Sequence, residues 1–119
     1  MRPLTEIEVA WLAGLLEGEG SFSEKRPHRP RITMEMTDED VVCRAHALTG
    51  VGHVYKTSQR RIHHQPAWQW SCIRIADVID VMMAVRPYMG NRRTAKIDWL
   101  LDRYYESPLE KGPHIDRRS

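Results

Sequence analysis

A chain of 119 residues can bury one modest core but is short for an enzyme that encloses a small-molecule substrate, so an open site or a dimer is expected. Its 18 Lys and Arg against 16 Asp and Glu give a net charge of only +2, and the apolar run around Trp11 is too short for a membrane span and ends in carboxylates. Two distant cysteines, Cys43 and Cys72, form no CxxC pair, which argues against a disulfide scaffold and for reduced thiols in an intracellular, cytoplasmic protein.

Thr5-Glu6-Ile7-Glu8 is a capping box, so a first helix is predicted over Glu6–Glu17, stopped by Gly18 and Gly20. Ala10, Ala13, Gly14, Glu17 and Gly18 recur at spacings of three and four, which gives one helical stripe almost without side chains. Ile7, Trp11 and Leu15 on one row and Val9, Leu12 and Leu16 on another make the remaining faces apolar. A helix of this kind is buried on more than one side, and its smooth stripe suits close packing against a second copy of itself.

Strands are expected over Ser21–Arg26 and Arg31–Met36, joined by the Pro27–Pro30 turn. In the second of these Ile32, Met34 and Met36 alternate with Arg31, Thr33 and Glu35. Thr37, followed by Asp38, Glu39 and Asp40, reads as the cap of a second helix that ends at Gly50. A second hairpin, Val51–Arg60 and Ala67–Ile75, has a polar tip at 61–66 and puts Trp68, Trp70 and Cys72 on one face. Helices over Asp77–Val85 and Arg92–Tyr105 follow, broken by Pro87 and Gly90; residues 1–107 form one domain and 108–119 a polar tail.

This order predicts an α+β domain: a four-stranded antiparallel sheet with helices on one face. The mild net charge conceals two basic segments. From Gly20 to Thr33, Lys25, Arg26, Arg29 and Arg31 face a single acid, Glu24, and no acid at all occurs between Val51 and Ala76. The helix-free face of the sheet would carry Ser23, Lys25, Arg29, Arg31, Thr33, His53, Tyr55, Thr57, Gln69 and Ser71, side chains that bond base edges and phosphates of double-stranded DNA. A solvated face is the plainer alternative, common in antiparallel sheets, but it leaves the missing acids unexplained.

Three further clusters have ordinary readings. His63-His64 fits a DNA contact or solvation at a hairpin tip better than a nuclease base. Cys43-x-x-His46 has zinc-like spacing without a second pair, so a buried thiol and a surface His are expected. Trp11 and Trp99 are expected in the core.

The stretch Leu12-Ala13-Gly14-Leu15-Leu16-Glu17-Gly18-Glu19-Gly20 resembles the LAGLIDADG motif of the homing endonucleases, matching at Leu12, Ala13, Gly14, Leu15 and Gly20 with Glu17 and Glu19 in place of its two aspartates. Weaker similarity runs through Thr37–Asp40, Gly50–Val54 and Arg86–Lys96, and only one copy of the motif occurs. Members with one motif are homodimers, which implies Ala10, Ala13, Gly14 and Glu17 at the dimer interface. The implied function is homing, the mobility of an intron or intein, through metal-dependent hydrolysis of both DNA strands at a long pseudo-palindromic site.

In that reading each Glu19 lies near the twofold axis and, with the Gly18 carbonyl, holds Mg²⁺, for which Mn²⁺ or Ca²⁺ can substitute in binding. Glu35 and Arg92, with Arg93 or Lys96 as substitutes, correspond to the groups that order water around the metal. A DNA-binding regulator or RNA-splicing maturase on the same scaffold is the alternative. The acid at Glu19 favours the nuclease, since a pure binder gains nothing from a carboxylate beside phosphates.

Overall fold

The computed structural model describes residues 1–57 and 65–107. The tip residues Arg60, Arg61, His63 and His64 and the 108–119 tail lie outside the described residues. Helix α1 spans Glu6–Glu19. Its capping box forms as expected: the Glu8 amide donates to Thr5 Oγ1 (3.1 Å) and the Thr5 amide to Glu8 Oε1 (2.9 Å). The helix passes through Gly18 and ends later than its spacing suggested. Gly20 ends it, donating its amide to Leu16 O. A Cβ on Gly20 would lie 2.8 Å from Leu16 O and 3.0 Å from Leu16 Cδ2, so the turn from helix into strand requires glycine there.

Strands β1 (Gly20–Arg26) and β2 (Arg29–Met36) form the first hairpin, with His28 at φ 68° in its turn. Helix α2 (Glu39–Thr49) is capped at Asp38 with no side-chain hydrogen bond, so Thr37 does not play the part expected of it; Gly50 closes the helix at φ 71°. In the second hairpin β3 is His53–Thr57 and β4 is Ala67–Cys72. The chain leaves β4 before Ile73, and helix α3 (Ile75–Val85) starts earlier than predicted. A 3-10 turn (Arg86–Tyr88) and helix α4 (Asn91–Glu106) complete the described chain.

The sheet is antiparallel in the order β1-β2-β4-β3. Its inner face carries Phe22, Ile32, Met34, Trp70 and Cys72, packed with Leu12 and Leu16 of α1, Val42 and Ala45 of α2, Val78, Val81, Met82 and Val85 of α3, and Ile97 and Leu100 of α4. Trp70 is the largest fully buried side chain, and its indole N–H donates to Val51 O at 2.9 Å. Gly52 (φ 84°) lies so close to that indole that a Cβ would come within 2.6 Å of Nε1. Cys72 sits in the same apolar layer, where burial pushes its thiol up to about 12.

Two expectations fail for the same reason. Trp99 and Cys43 lie on the outer sides of α4 and α2, Trp99 being 48% exposed, because helices that cover one sheet face leave half their own surface in water. Trp11 is half-buried. None of the described helices is long and apolar enough to cross a membrane.

Candidate nucleic-acid interface and catalytic end

Strand alternation turns the polar residues to the helix-free face, and the registers align them in rows. Ser21, Thr33, Ser71 and His53 form one row across all four strands; Glu35, Gln69 and Tyr55 form the next. Neighbours in these rows order one another. Gln69 Nε2 donates to Tyr55 OH at 2.7 Å, Arg31 Nε to Ser23 Oγ at 3.2 Å, and Thr57 Oγ1 to Glu35 Oε2 at 3.0 Å. The strand reading thus brings Ser23, Arg29, Arg31, Thr33, His53, Tyr55, Thr57, Gln69 and Ser71 to one face, with Lys25 exposed where the β1–β2 register shifts between Glu24 and Arg26. Ser21 is an addition that its parity with Ser23 could have signalled.

The first hairpin is tied back to the end of α4. Arg103 donates to both oxygens of Glu24 (Nε 2.6 Å, Nη2 3.1 Å), and His28 Nδ1 lies 2.8 Å from Arg103 O. The Arg103 hydrogen bond, opposed by desolvation, holds the Glu24 carboxyl below its ordinary range. Arg103 and Lys96 also lie against Trp99, each 4.8 Å from its ring centroid.

Glu19 is exposed as the last residue of α1, where the chain enters β1. Around the neighbouring Gly18 the space is open, with nothing within 4 Å of a built Cβ. A cleft of about 560 Å³ opens alongside and is lined by Gly20, Ser21, Arg92, Arg93, Lys96 and Trp99. Glu35 is at this same end of the sheet, one residue beyond Met34, which pairs with Gly20. Among the described residues no three His, Cys, Asp or Glu side chains come together to hold an ion. What one chain offers at this end is therefore one exposed carboxylate, a nearby backbone carbonyl and open space. That set suits a hard divalent ion completed by water and phosphate oxygens.

The two acids of the motif diverge. Glu17, its side chain still 40% exposed, accepts the Gly90 amide at 2.8 Å, at the N-cap of α4, with Arg93 Nε 4.0 Å from its other oxygen. It caps a helix that begins more than seventy residues later, and a carboxylate there suits the positive end of the helix dipole. Arg93 is largely buried, its guanidinium 5.7 Å from the Phe22 ring centroid and its Nε without a hydrogen-bond partner. The middle of α4 is tied to the preceding 3-10 turn by Arg86, which donates to both oxygens of Asp98 (2.8 and 2.7 Å). Arg92 and Lys96 remain exposed on this braced helix.

The smooth stripe is narrower than its spacing suggested. Ala13 is 1% exposed in the core of its own chain, and the carboxylate of the half-buried Glu17 bonds the Gly90 amide. Ile7 (82% exposed), Ala10, Gly14 and Gly18 remain open along the outer side of α1. Trp11 and Leu15 flank them, with the Arg44 guanidinium 4.1 Å from the Trp11 ring centroid.

No family model matches the sequence, and no curated protein matches it. Solved structures do. The homing endonuclease I-CvuI in complex with its target is 18% identical, with a TM-score of 0.69 over 92% of this chain and 73% of that one. The group I intron-encoded homing endonuclease I-CeuI complexed with DNA gives 16% and 0.69 over 98% of this chain and 61% of that one. The archaeal intron-encoded homing endonuclease I-Vdi141I complexed with DNA gives 12% and 0.61 over 77% and 64%. With the Leu12–Gly20 motif on its first helix and this four-stranded sheet behind it, the chain has the LAGLIDADG homing-endonuclease fold.

Proposed function

We propose that this protein is a site-specific double-strand DNA endonuclease that works as a homodimer on a long pseudo-palindromic site and depends on a divalent ion, Mg²⁺ by preference. The observation that carries the reading is the placement of Glu19: an exposed carboxylate at one end of a polar sheet face, beside the cleft of Arg92 and Lys96. A carboxylate repels DNA phosphates unless a cation lies between them, so its presence at a polyanion surface argues for catalysis. The solved neighbours are homing endonucleases complexed with DNA, in two cases with Ca or Mg present, which supports the same substrate and metal class.

Glu19 and the Gly18 carbonyl would hold the ion, which when bound polarises the phosphate and activates water. Arg92 and Lys96 hold the phosphate by charge, and the bracing of α4 by Glu17 and Asp98 fixes their distance from Glu19. Glu35, held by Thr57, and Gln69 beside it orient water at the same end of the sheet. One chain brings one Glu19, so two strands require two chains. The open Ile7–Gly18 side of α1 is the surface through which they would meet, with Ala10 and Gly14 at its centre.

The test is incubation with a randomised duplex library and Mg²⁺, comparing the wild type with Glu19→Gln. Cutting by the wild type, and binding without cutting by the variant, is the expected result. Tight binding with no cutting by either would favour a DNA-binding regulator or maturase instead.

A further inference from the structure

The end of the sheet farthest from Glu19 carries a second basic site. Lys25 and Arg26 from β1, Arg29 and Pro30 from β2, and Ile73 and Arg74 from the link between β4 and α3 line one shallow basin of about 280 Å³. Four of its six lining residues are cationic, and they come from three separate parts of the chain. Glu24, next to Lys25 in sequence, is held by Arg103; Asp77 accepts a 3.0 Å bond from Arg74 and partly offsets it, leaving the Arg74 side chain 74% exposed. Ile73, 39% exposed, gives the basin an apolar floor.

Like charges gathered in this way repel one another and weaken the fold slightly unless a polyanion neutralises them. From Met34, which pairs with Gly20, to Pro30 is four residues of β2, or ~13 Å at the usual strand rise. The basin therefore lies outboard of the candidate catalytic end on the same molecule. Its lining is cationic and apolar, without the hydroxyl and amide side chains that Thr33, Ser71 and Gln69 present along the strand rows. We infer that Arg26 and Arg74, with Lys25 and Arg29, form a sequence-independent clamp for a DNA backbone phosphate outboard of the bond to be cut. The inference rests on the DNA-binding reading proposed above.

The measurement is the salt dependence of binding to two unrelated 30-bp duplexes, neither containing a cleavage site. Each phosphate contact contributes about 0.9 to the slope of log K against log salt. The Arg26→Ala/Arg74→Ala pair is expected to lower that slope by roughly 0.9, one phosphate's share, on both duplexes, and Arg74→Lys to keep it, because charge and not shape is what the clamp needs. Arg2→Ala, at the far end of the chain beside Glu8, serves as the control and should leave the slope unchanged. An unchanged slope in the double variant, or an equal drop with Arg2→Ala, overturns the clamp while leaving the nuclease reading intact. A wild type that binds neither duplex at low salt overturns both.

Discussion

The two ends of the sheet bear opposite electrostatic designs. The Glu19 end mixes signs: the exposed carboxylate of Glu19 and the half-buried one of Glu35, with the exposed Arg92 and Lys96 on the neighbouring cleft. The far end concentrates one sign, with Lys25, Arg26, Arg29 and Arg74 around a single basin. A surface that needs only affinity for a polyanion has no use for carboxylates, whereas one that must place an ion between itself and a phosphate cannot do without them. In the proposed function, this difference would separate work on the phosphodiester from grip on the duplex. It would also reconcile so mild a net charge with the proposed DNA-binding face.

Substitutions can break or sharpen that comparison. The largest stability effect falls on what both ends share: Trp70→Ala should cost about 3–5 kcal/mol in denaturant unfolding and lower cutting and binding together. Gly20→Ala pushes a methyl against Leu16 and should cost about 1–3 kcal/mol, with cutting falling more than binding because the strained turn adjoins Glu19.

Glu17→Ala removes the cap from Gly90 and should cost about 0.5–2 kcal/mol, raising the metal requirement for cleavage while non-specific binding holds. Glu17→Gln keeps an acceptor for that amide and should recover most of the loss. If the two variants are equally impaired in cleavage, Glu17 acts through charge alone and not by placing α4.

The smallest effect concerns Glu24. Its carboxyl titrates lower in the folded chain than in the unfolded one, so the Arg103 pair contributes stability above the ordinary carboxylate range and loses it as pH falls through the folded value. Thermal unfolding of Glu24→Gln should therefore show a shallower loss of stability on acidification than the wild type. An identical profile would mean that the first hairpin does not depend on this tie to α4.

Much of this was legible in the sequence because it is local. The Thr5–Glu8 box, the alternation of Ile32 and Met34 with Arg31 and Thr33, and the glycines at 50 and 52 each act within a few residues, so the elements and the polar sheet face could be read directly. The rotation of α1 could not. A helix apolar on nearly every side gives no amphipathic signal, and Ala13, one step around from Gly14, turned out to belong to the core. Long-range partners were equally hidden: the cap that Glu17 supplies to Gly90, and the arrival of Arg74 beside Arg26 and Arg29, depend on the sheet order β1-β2-β4-β3. Trp99 departs from its expected place in the core: the ring lies at the surface against Lys96 and Arg103, a partnership of α4 side chains that its sequence position alone does not reveal.

The most direct test is one experiment on three proteins: wild type, Glu19→Gln and Arg26→Ala/Arg74→Ala, each measured for duplex affinity and for single-turnover cutting of saturated DNA in Mg²⁺. The division of labour predicts that Glu19→Gln binds like the wild type but cuts about 100- to 1,000-fold more slowly, while the double variant binds more weakly yet cuts at the wild-type rate once saturated. Loss of binding in Glu19→Gln together with unimpaired affinity in the double variant would contradict it.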